Sequence, residues 1–367
     1  MIIQKYFKVR DVALCALLAL LTSHYLEIPQ AHFFSNLKAQ YSYGVGAKYH
    51  ELDESGLLVS RLIDGSSKST FINPVSNAQL VLWQAESYLF SKYYPDYLEF
   101  LYEDPYFEEA YIVSVADIFL ARYPTERING SEIIRFPYNA DFEVYDGLEK
   151  PWYSAMASGH VLVVMLAAAD ISGDEKYATF ARKTFDWFKL SVPDGGCTYK
   201  VDSGTLFEEY CSPKSSYFQS SKVLNGHFFA MDGLFWFLHF NPGDSYARHL
   251  IDEATAWSET NTSNYHAKYW SYYDHYAGEG NYADGYYHEV VIMQLDRVVN
   301  FYGDVLGLKT DQLDDSLHDF KLFSLMPLGF IERMIFQRNR MVYVIFFSNM
   351  LFFLLIVSIL RNRFSPP

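Results

Sequence analysis

From Met341 to Leu360 the chain reads MVYVIFFSNMLFFLLIVSIL, twenty residues without a charge. At 1.5 Å per residue such a run covers a hydrocarbon core about 30 Å thick. A transmembrane helix is therefore expected over 341–360, with a basic juxtamembrane segment at 326–340 and a short tail at 361–367. Near the other end, Lys5, Lys8 and Arg10 precede the apolar run Val12 to Leu21, the charged start and short apolar centre of a signal peptide or signal anchor. No small-residue cleavage site follows it, so residues 1–28 read as an uncleaved anchor in preference to a removed leader. The orientation signals conflict. Arg333, Arg338 and Arg340 before the C-terminal span outnumber Arg361 and Arg363 after it, which places the earlier cluster in the cytoplasm, whereas an N-terminal signal sends the intervening chain across.

Half of the 367 residues are hydrophobic, enough for one large core. Residues 29–72 lack helical periodicity, and the alternation in Gly56-Leu57-Leu58-Val59-Ser60-Arg61-Leu62 predicts strand, giving a short β-containing lead-in. After Asn73-Pro74 apolar residues recur at three and four spacings. Helices are expected near 75–93, 106–122, 152–171, 175–190, 224–240, 244–259, 286–303 and 310–323. Short turns such as Ser172-Gly173-Asp174 and Asn241-Pro242-Gly243 pair them. The fold class expected for 73–325 is mainly α, an incomplete (α/α) toroid of about four helical hairpins whose longer loops, 128–151, 192–222 and 262–285, gather on one face.

Those loops and the helices beside them hold the chemistry-bearing motifs. Phe207-Glu208-Glu209-Tyr210 is followed by Val223-Leu224-Asn225-Gly226; Trp152-Tyr153-Ser154-Ala155-Met156-Ala157-Ser158-Gly159 precedes it; Tyr273-Asp274, Tyr287-His288 and Gln294-Leu295 come after it. At these residues, over roughly 70 to 300, the chain resembles the D-glucuronyl C5-epimerases, which invert C5 of glucuronate within a polysaccharide to give iduronate. The resemblance implies catalytic roles for Tyr210, Tyr273 and Tyr287, with Glu209 orienting a phenol or acting as a base. It implies a uronic-acid polysaccharide as partner, no cofactor, and a lumenal, periplasmic or extracellular catalytic region. Vertebrate members carry a substantial β-domain ahead of the helices, for which this chain has only a short counterpart. Contacts supplied by that domain, a homodimer among them, are left open.

The reaction removes a proton alpha to a carboxylate and returns one on the opposite face, so acid/base groups must flank the ring and donors must hold the enediolate oxygens. A phenol, normally of pKa about 10, suits the flanking role when nearby cations or hydrogen bonds pull it down. Asn225 reads equally as a helix cap or a substrate contact. His288 could donate to a uronate carboxylate, while a structural histidine is the bland alternative. Trp152 and Tyr153 could stack on sugar or, by a slight preference, anchor packing.

Two departures from the family pattern bear on substrate. Tyr273-Asp274-His275-Tyr276 stands where Tyr-Asp-Leu-Arg is typical, and Ser158 and His160 replace glutamines of the first motif. A cation for the substrate is thereby missing. With a net charge of −15 the chain is unsuited to nucleic acid, and an acidic polymer needs a local groove, expected from Lys200, Lys222, His275 and His288. Most of the 31 Tyr and 30 Phe should pack the core. Cys197 and Cys211 are close enough to bridge a hairpin in an oxidising compartment, or are two free thiols. The sequence shows no metal motif, P-loop or dinucleotide fingerprint. A uronate lyase, which passes through the same C5 carbanion, and a non-catalytic membrane-anchored glycan-binding protein are the competing readings.

Overall fold

In the computed structural model, which describes residues 9–43, 50–52, 57–64, 67–101, 104–142, 144–145, 148–337 and 340–364, the chain opens with two helices. Helix α1 (Val9–Tyr25) meets α2 (Glu27–Tyr43) at a bend of 81°. A three-stranded antiparallel sheet follows, with β2 (Leu58–Asp64) between β1 (His50–Leu52) and β3 (Ser67–Ile72). The sheet bears out the strand expected near residues 56–62. The helix over 27–43 departs from the β-containing reading, because its apolar residues form no 3.6-period stripe that would announce it.

From Asn73 onward the chain is mainly helical: α3 (Pro74–Tyr93), α4 (Glu109–Arg122), α5 (Ala155–Ser172), α6 (Glu175–Phe188), α7 (Leu224–Phe240), α8 (Ser245–Asn261) and α9 (Gly285–Asp296). Helices α10 (Gly303–Leu306), α11 (Asp311–Ser324), α12 (Leu328–Phe336) and α13 (Arg340–Phe364) complete it. Small hairpins occupy the long loops: β4 (Glu126–Ile128) with β5 (Ser131–Ile133), β6 (Thr198–Val201) with β7 (Gly204–Phe207), and β8 (Tyr272–Asp274) with β9 (Asn281–Tyr282). All eight expected helical stretches are present, although the last-but-one is interrupted by a π-helical turn at Arg297–Tyr302. The starts follow local chemistry. Asn73 accepts from the Ser76 amide with Pro74 in the first turn, Ser154 accepts from Ala157, and Asp174, Asp244 and Asp284 cap α6, α8 and α9.

Helix α5 is apolar on every side and packs between α3 and α7, while α6 and α8 cover the outside. Such a helix belongs at the centre of a core, and α5 is buried there even though its length would also cross a membrane. Glycines allow its closest approach: a Cβ on Gly159 would stand 2.3 Å from the Phe229 carbonyl oxygen, and one on Gly233 would stand 2.5 Å from the Gly159 carbonyl oxygen. Three core helices are tied together by a buried cation. The Arg297 guanidinium donates to Glu86 of α3 at 2.6 Å, to Asp232 of α7 at 3.2 Å and to the Phe100 carbonyl at 2.7 Å, and Tyr302 donates to Asp232.

Helix α13 is long and apolar enough to cross a membrane, and it leaves Phe347, Leu351, Phe352, Leu355 and Ile359 exposed. It packs along α1. Asn349, inside the apolar run, exchanges two 3.0 Å amide bonds with Gln30 and donates to Ser23 at 2.9 Å. Below this contact Glu27 accepts from Arg333 of α12 at 2.7 Å, both side chains being buried, and from the Gly285 amide that opens α9 at 3.2 Å. The apolar ends and the helical region thus share a buried ion pair, within a segment that the sequence suggested only as a basic linker.

Candidate active site

Chain leaving β7 is pinned on both sides, which fixes where Glu208, Glu209 and Tyr210 point. The amide of Glu208 donates to the Cys197 carbonyl at 2.8 Å, its carbonyl accepts from Ala155 at 3.0 Å, and Tyr153 and Cys211 exchange backbone bonds. A Cys197–Cys211 disulfide closes the hairpin. Successive residues in extended chain face opposite ways. Glu208 turns inward and is fully engaged, accepting from Ser221, from the Lys222 amide at 3.0 Å and from the Tyr210 amide at 3.2 Å. Glu209 turns the other way, into a cavity of about 240 Å³.

Glu209 has no hydrogen-bond partner at Oε2 although that atom is buried. Burial pushes its carboxyl up to about 8, with the charges of Glu208 and Asp274 adding to the effect and hydrogen bonding from Tyr210 opposing it. Gly226 makes the placement possible, since a Cβ there would lie 2.3 Å from Glu209 Oε2. Asn225, in the first turn of α7, also lines the cavity with its Oδ1 buried and unpartnered, while its backbone carbonyl accepts from Gln294 at 2.9 Å. The capping position is Val223, which makes no side-chain cap, so the cap reading of Asn225 gives way to a cavity-facing amide.

Tyr210 and Tyr287 line the same cavity, and Tyr273 stands against Tyr287 with ring centroids 4.8 Å apart. Tyr210 stacks on Phe142 at 5.0 Å and packs against Tyr145 at 5.1 Å. Trp152 is on the cavity wall, stacked on Tyr138 at 3.8 Å. Tyr153 is a packing residue beneath the Arg135 guanidinium. Burial, followed by the charge of Glu209, raises the phenols of Tyr210, Tyr273 and Tyr287 above the usual tyrosine value. The expectation of phenols pulled down by cations is corrected here: burial favours the neutral phenols, and among these four groups Glu209 lies nearest neutrality.

Residues 129–310 match the family described as the D-glucuronyl C5-epimerase C-terminus. The likeness is to the C-terminal part of the D-glucuronyl C5-epimerases and spans just under half of this chain. The matched region contains Glu209, the three tyrosines and Asn225 but leaves the β-sheet, α3 and the apolar ends of the chain outside. A protein of Methanocaldococcus jannaschii described as uncharacterized is 30% identical over 205 residues, 54% of this chain and 62% of that protein. The D-glucuronyl C5-epimerase of Caenorhabditis elegans is 36% identical over 84 residues, 23% of this chain and 13% of that enzyme. The chain therefore matches less than two thirds of either relative.

Other site residues expected from the sequence lie elsewhere. His288 is fully buried, held by Ser271 at 2.7 Å, stacked on Trp270 at 3.8 Å and lowered by burial to about 3, so it is a neutral packing residue. Lys222 and His275 face a different cavity, and Lys200 reaches the Tyr246 hydroxyl at 3.3 Å on the outside. The four-cation groove is not formed. A lysine that sequence reading passed over, Lys150, pairs at 2.7 Å with Asp141, an exposed acid that lines the cavity. Also missed were Tyr138, Asn73 and Tyr286 on the wall. Tyr286 alone had a signal, its place in a Tyr-Tyr pair beside a motif.

Proposed function

We propose that this chain is a uronate C5-epimerase that converts D-glucuronate to L-iduronate within a polysaccharide by acid/base transfer across the sugar ring. The observation that carries the reading is Glu209: a buried carboxyl with an unpartnered oxygen, raised to about 8, in one cavity with the phenols of Tyr210 and Tyr287. As carboxylate, Glu209 takes the C5 proton; the electron pair left on C5 delocalises into the substrate carboxylate as an enediolate. The Asn225 Nδ2 and the Tyr210 hydroxyl would donate to such oxygens. Tyr287 delivers a proton to the opposite face, and the neighbouring Tyr273 phenol can resupply it. In the reverse direction the roles exchange. A raised phenol suits this task, since it stays protonated until a carbanion is present.

The helical pairs are taken as an incomplete (α/α) toroid that holds the loops on one face. Helix α13, with the bent pair α1–α2, would anchor it, and the Cys197–Cys211 disulfide supports a lumenal or external side. The test is incubation of the full chain with a glucuronate polymer in deuterated water. Deuterium at C5 with intact chain length is expected, its rate rising with pH through about 8 as Glu209 ionises. Glu209→Gln should lose about 10²–10⁴-fold, the usual span for a general base. An ultraviolet-absorbing unsaturated product would make the chain a lyase instead.

A further inference from the structure

Behind the glutamate pair lies a second cavity, of about 470 Å³, into which Lys222, His275, Trp257, Tyr217, Phe218 and Asn264 face. Lys222 is an unusual residue to find there. Its φ of 50° is one that side-chain-bearing residues seldom adopt, and the Lys222 amide and carbonyl hold that turn by bonding to Glu208 and Tyr265. The half-buried ammonium is met by carbonyls of Phe218 and Ser220 at 3.3 Å and of His275 at 3.5 Å, and it rests 4.9 Å from the centre of the Tyr217 ring. Among the described residues no carboxylate forms an ion pair with it. The two acids whose charges it feels, Glu208 and Asp274, are already taken. Glu208 has its three donors, and Asp274 accepts from Tyr145 and Asn281, each at 2.7 Å.

A half-buried cation with carbonyl partners alone calls for an anion, because long carbonyl contacts return only part of the hydration it has lost. The remaining walls suit a sugar ring. Phe218, 69% exposed, and Tyr217 offer aromatic faces, while Asn264 is exposed and the His275 ring Nε2 donates to the Asn264 carbonyl at 2.7 Å. Volume is sufficient for a monosaccharide unit.

We infer that the Lys222 cavity is a second saccharide subsite, which binds the carboxylate of a uronate unit other than the one being inverted. The identity of the ligand as a uronate rests on the reading of the Glu209 cavity given above; the site itself rests on an ammonium that no carboxylate among the described residues contacts, and on its aromatic walls. It would hold an acidic polymer to an acidic protein without placing a cation beside the carboxyl that must act as base. Since the Lys222 amide is a donor to Glu208, the two sites share one turn of backbone.

Amine footprinting of the full chain in detergent micelles tests this, with acetylation of each lysine read by peptide mass spectrometry. Sodium glucuronate should slow labelling of Lys222 severalfold, glucose and acetate should slow it much less, and exposed Lys214 should be unaffected by all three. The protection should persist in Glu209→Gln and weaken in Phe218→Ala, a change at an exposed side chain that the fold should tolerate. Equal protection by glucose, no protection by glucuronate, a Lys222 that is unreactive in the free protein, or loss of protection in Glu209→Gln would each overturn the subsite. Absence of C5 exchange in the wild-type chain would refute the epimerase reading while leaving a Lys222 protection result standing, so the two failures are distinct.

Discussion

Two regions of this protein bury carboxylates, and they treat them in opposite ways. Around Arg297 every formal charge has a partner: Glu86 and Asp232 share the guanidinium, Tyr302 donates to Asp232, and Phe100 takes the remaining guanidinium protons. Among the described residues no cation lines the Glu209 cavity, one carboxylate oxygen is unpartnered, and phenols and an amide share the wall. Burial raises the carboxyls of both Glu86 and Glu209, but Arg297 pulls Glu86 back down, and Glu209 has only the Tyr210 hydroxyl to do so. The difference separates a group that holds helices together from one kept ready to change its protonation. A cation in the cleft would pull the Glu209 carboxyl down as Arg297 does Glu86.

Breaking the paired region should have the largest effect on stability. Arg297→Met leaves two acids buried without their cation and is expected to cost about 3–5 kcal/mol, measured by urea unfolding followed by circular dichroism. A loss under about 1 kcal/mol would mean that water or Tyr302 supplies what Arg297 is credited with.

The corresponding change in the cleft should have the other sign. Glu209 has a folded-state pKa of about 8 against an ordinary 4.5, so its folded form keeps a proton that the unfolded chain releases. Wild-type stability should therefore fall as pH rises from about 4.5 to about 8 on this account, and stay at the lower level above that. Glu209→Gln removes the dependence. Its melting temperature should match the wild type at the acid end of the window and exceed it progressively toward the alkaline end, while C5 exchange is lost. A variant less stable than wild type at every pH would show Glu209 to be a structural acid like Glu86.

The smallest effect is expected where a carboxylate is intermediate between the two. Asp274 accepts from Tyr145 and Asn281 and, among the described residues, forms no ion pair. Tyr145→Phe removes one of its two side-chain donors and should cost about 0.5–1.5 kcal/mol, with C5 exchange reduced only a few-fold. A loss as large as that of Arg297→Met would place Asp274 with the structural acids.

Much of the helical architecture was legible because caps and spacing are local. Asn73-Pro74, Ser154, Asp174 and Asp244 each announce a start within a few residues of the apolar pattern they introduce. The site was legible as a set of motifs, and less so as a set of directions. Tyr287 and His288 are neighbours on a helix, where successive side chains diverge by about 100°; one reaches the cleft and the other stacks on Trp270. Glu208 and Glu209 divide in the same manner on extended chain. Lys222 was assigned to the wrong cavity because a left-handed turn redirects it, a conformation that nothing in a lysine announces. Tyr138, Asn73 and Asp141 come to the wall from segments whose proximity depends on tertiary packing alone.

The bond from the Gly285 amide to Glu27 makes the apolar ends more than a tether. Cutting the chain ahead of α12 to obtain a soluble fragment would take away Arg333 and strand a buried carboxylate at the first turn of α9, two residues from Tyr287. A fragment prepared in that way is expected to misreport catalysis even where it folds. In the intact chain, detergent or lipid that alters how α1 and α13 sit together would be felt at a phenol of the cleft, so the medium around these apolar helices becomes a variable of the assay.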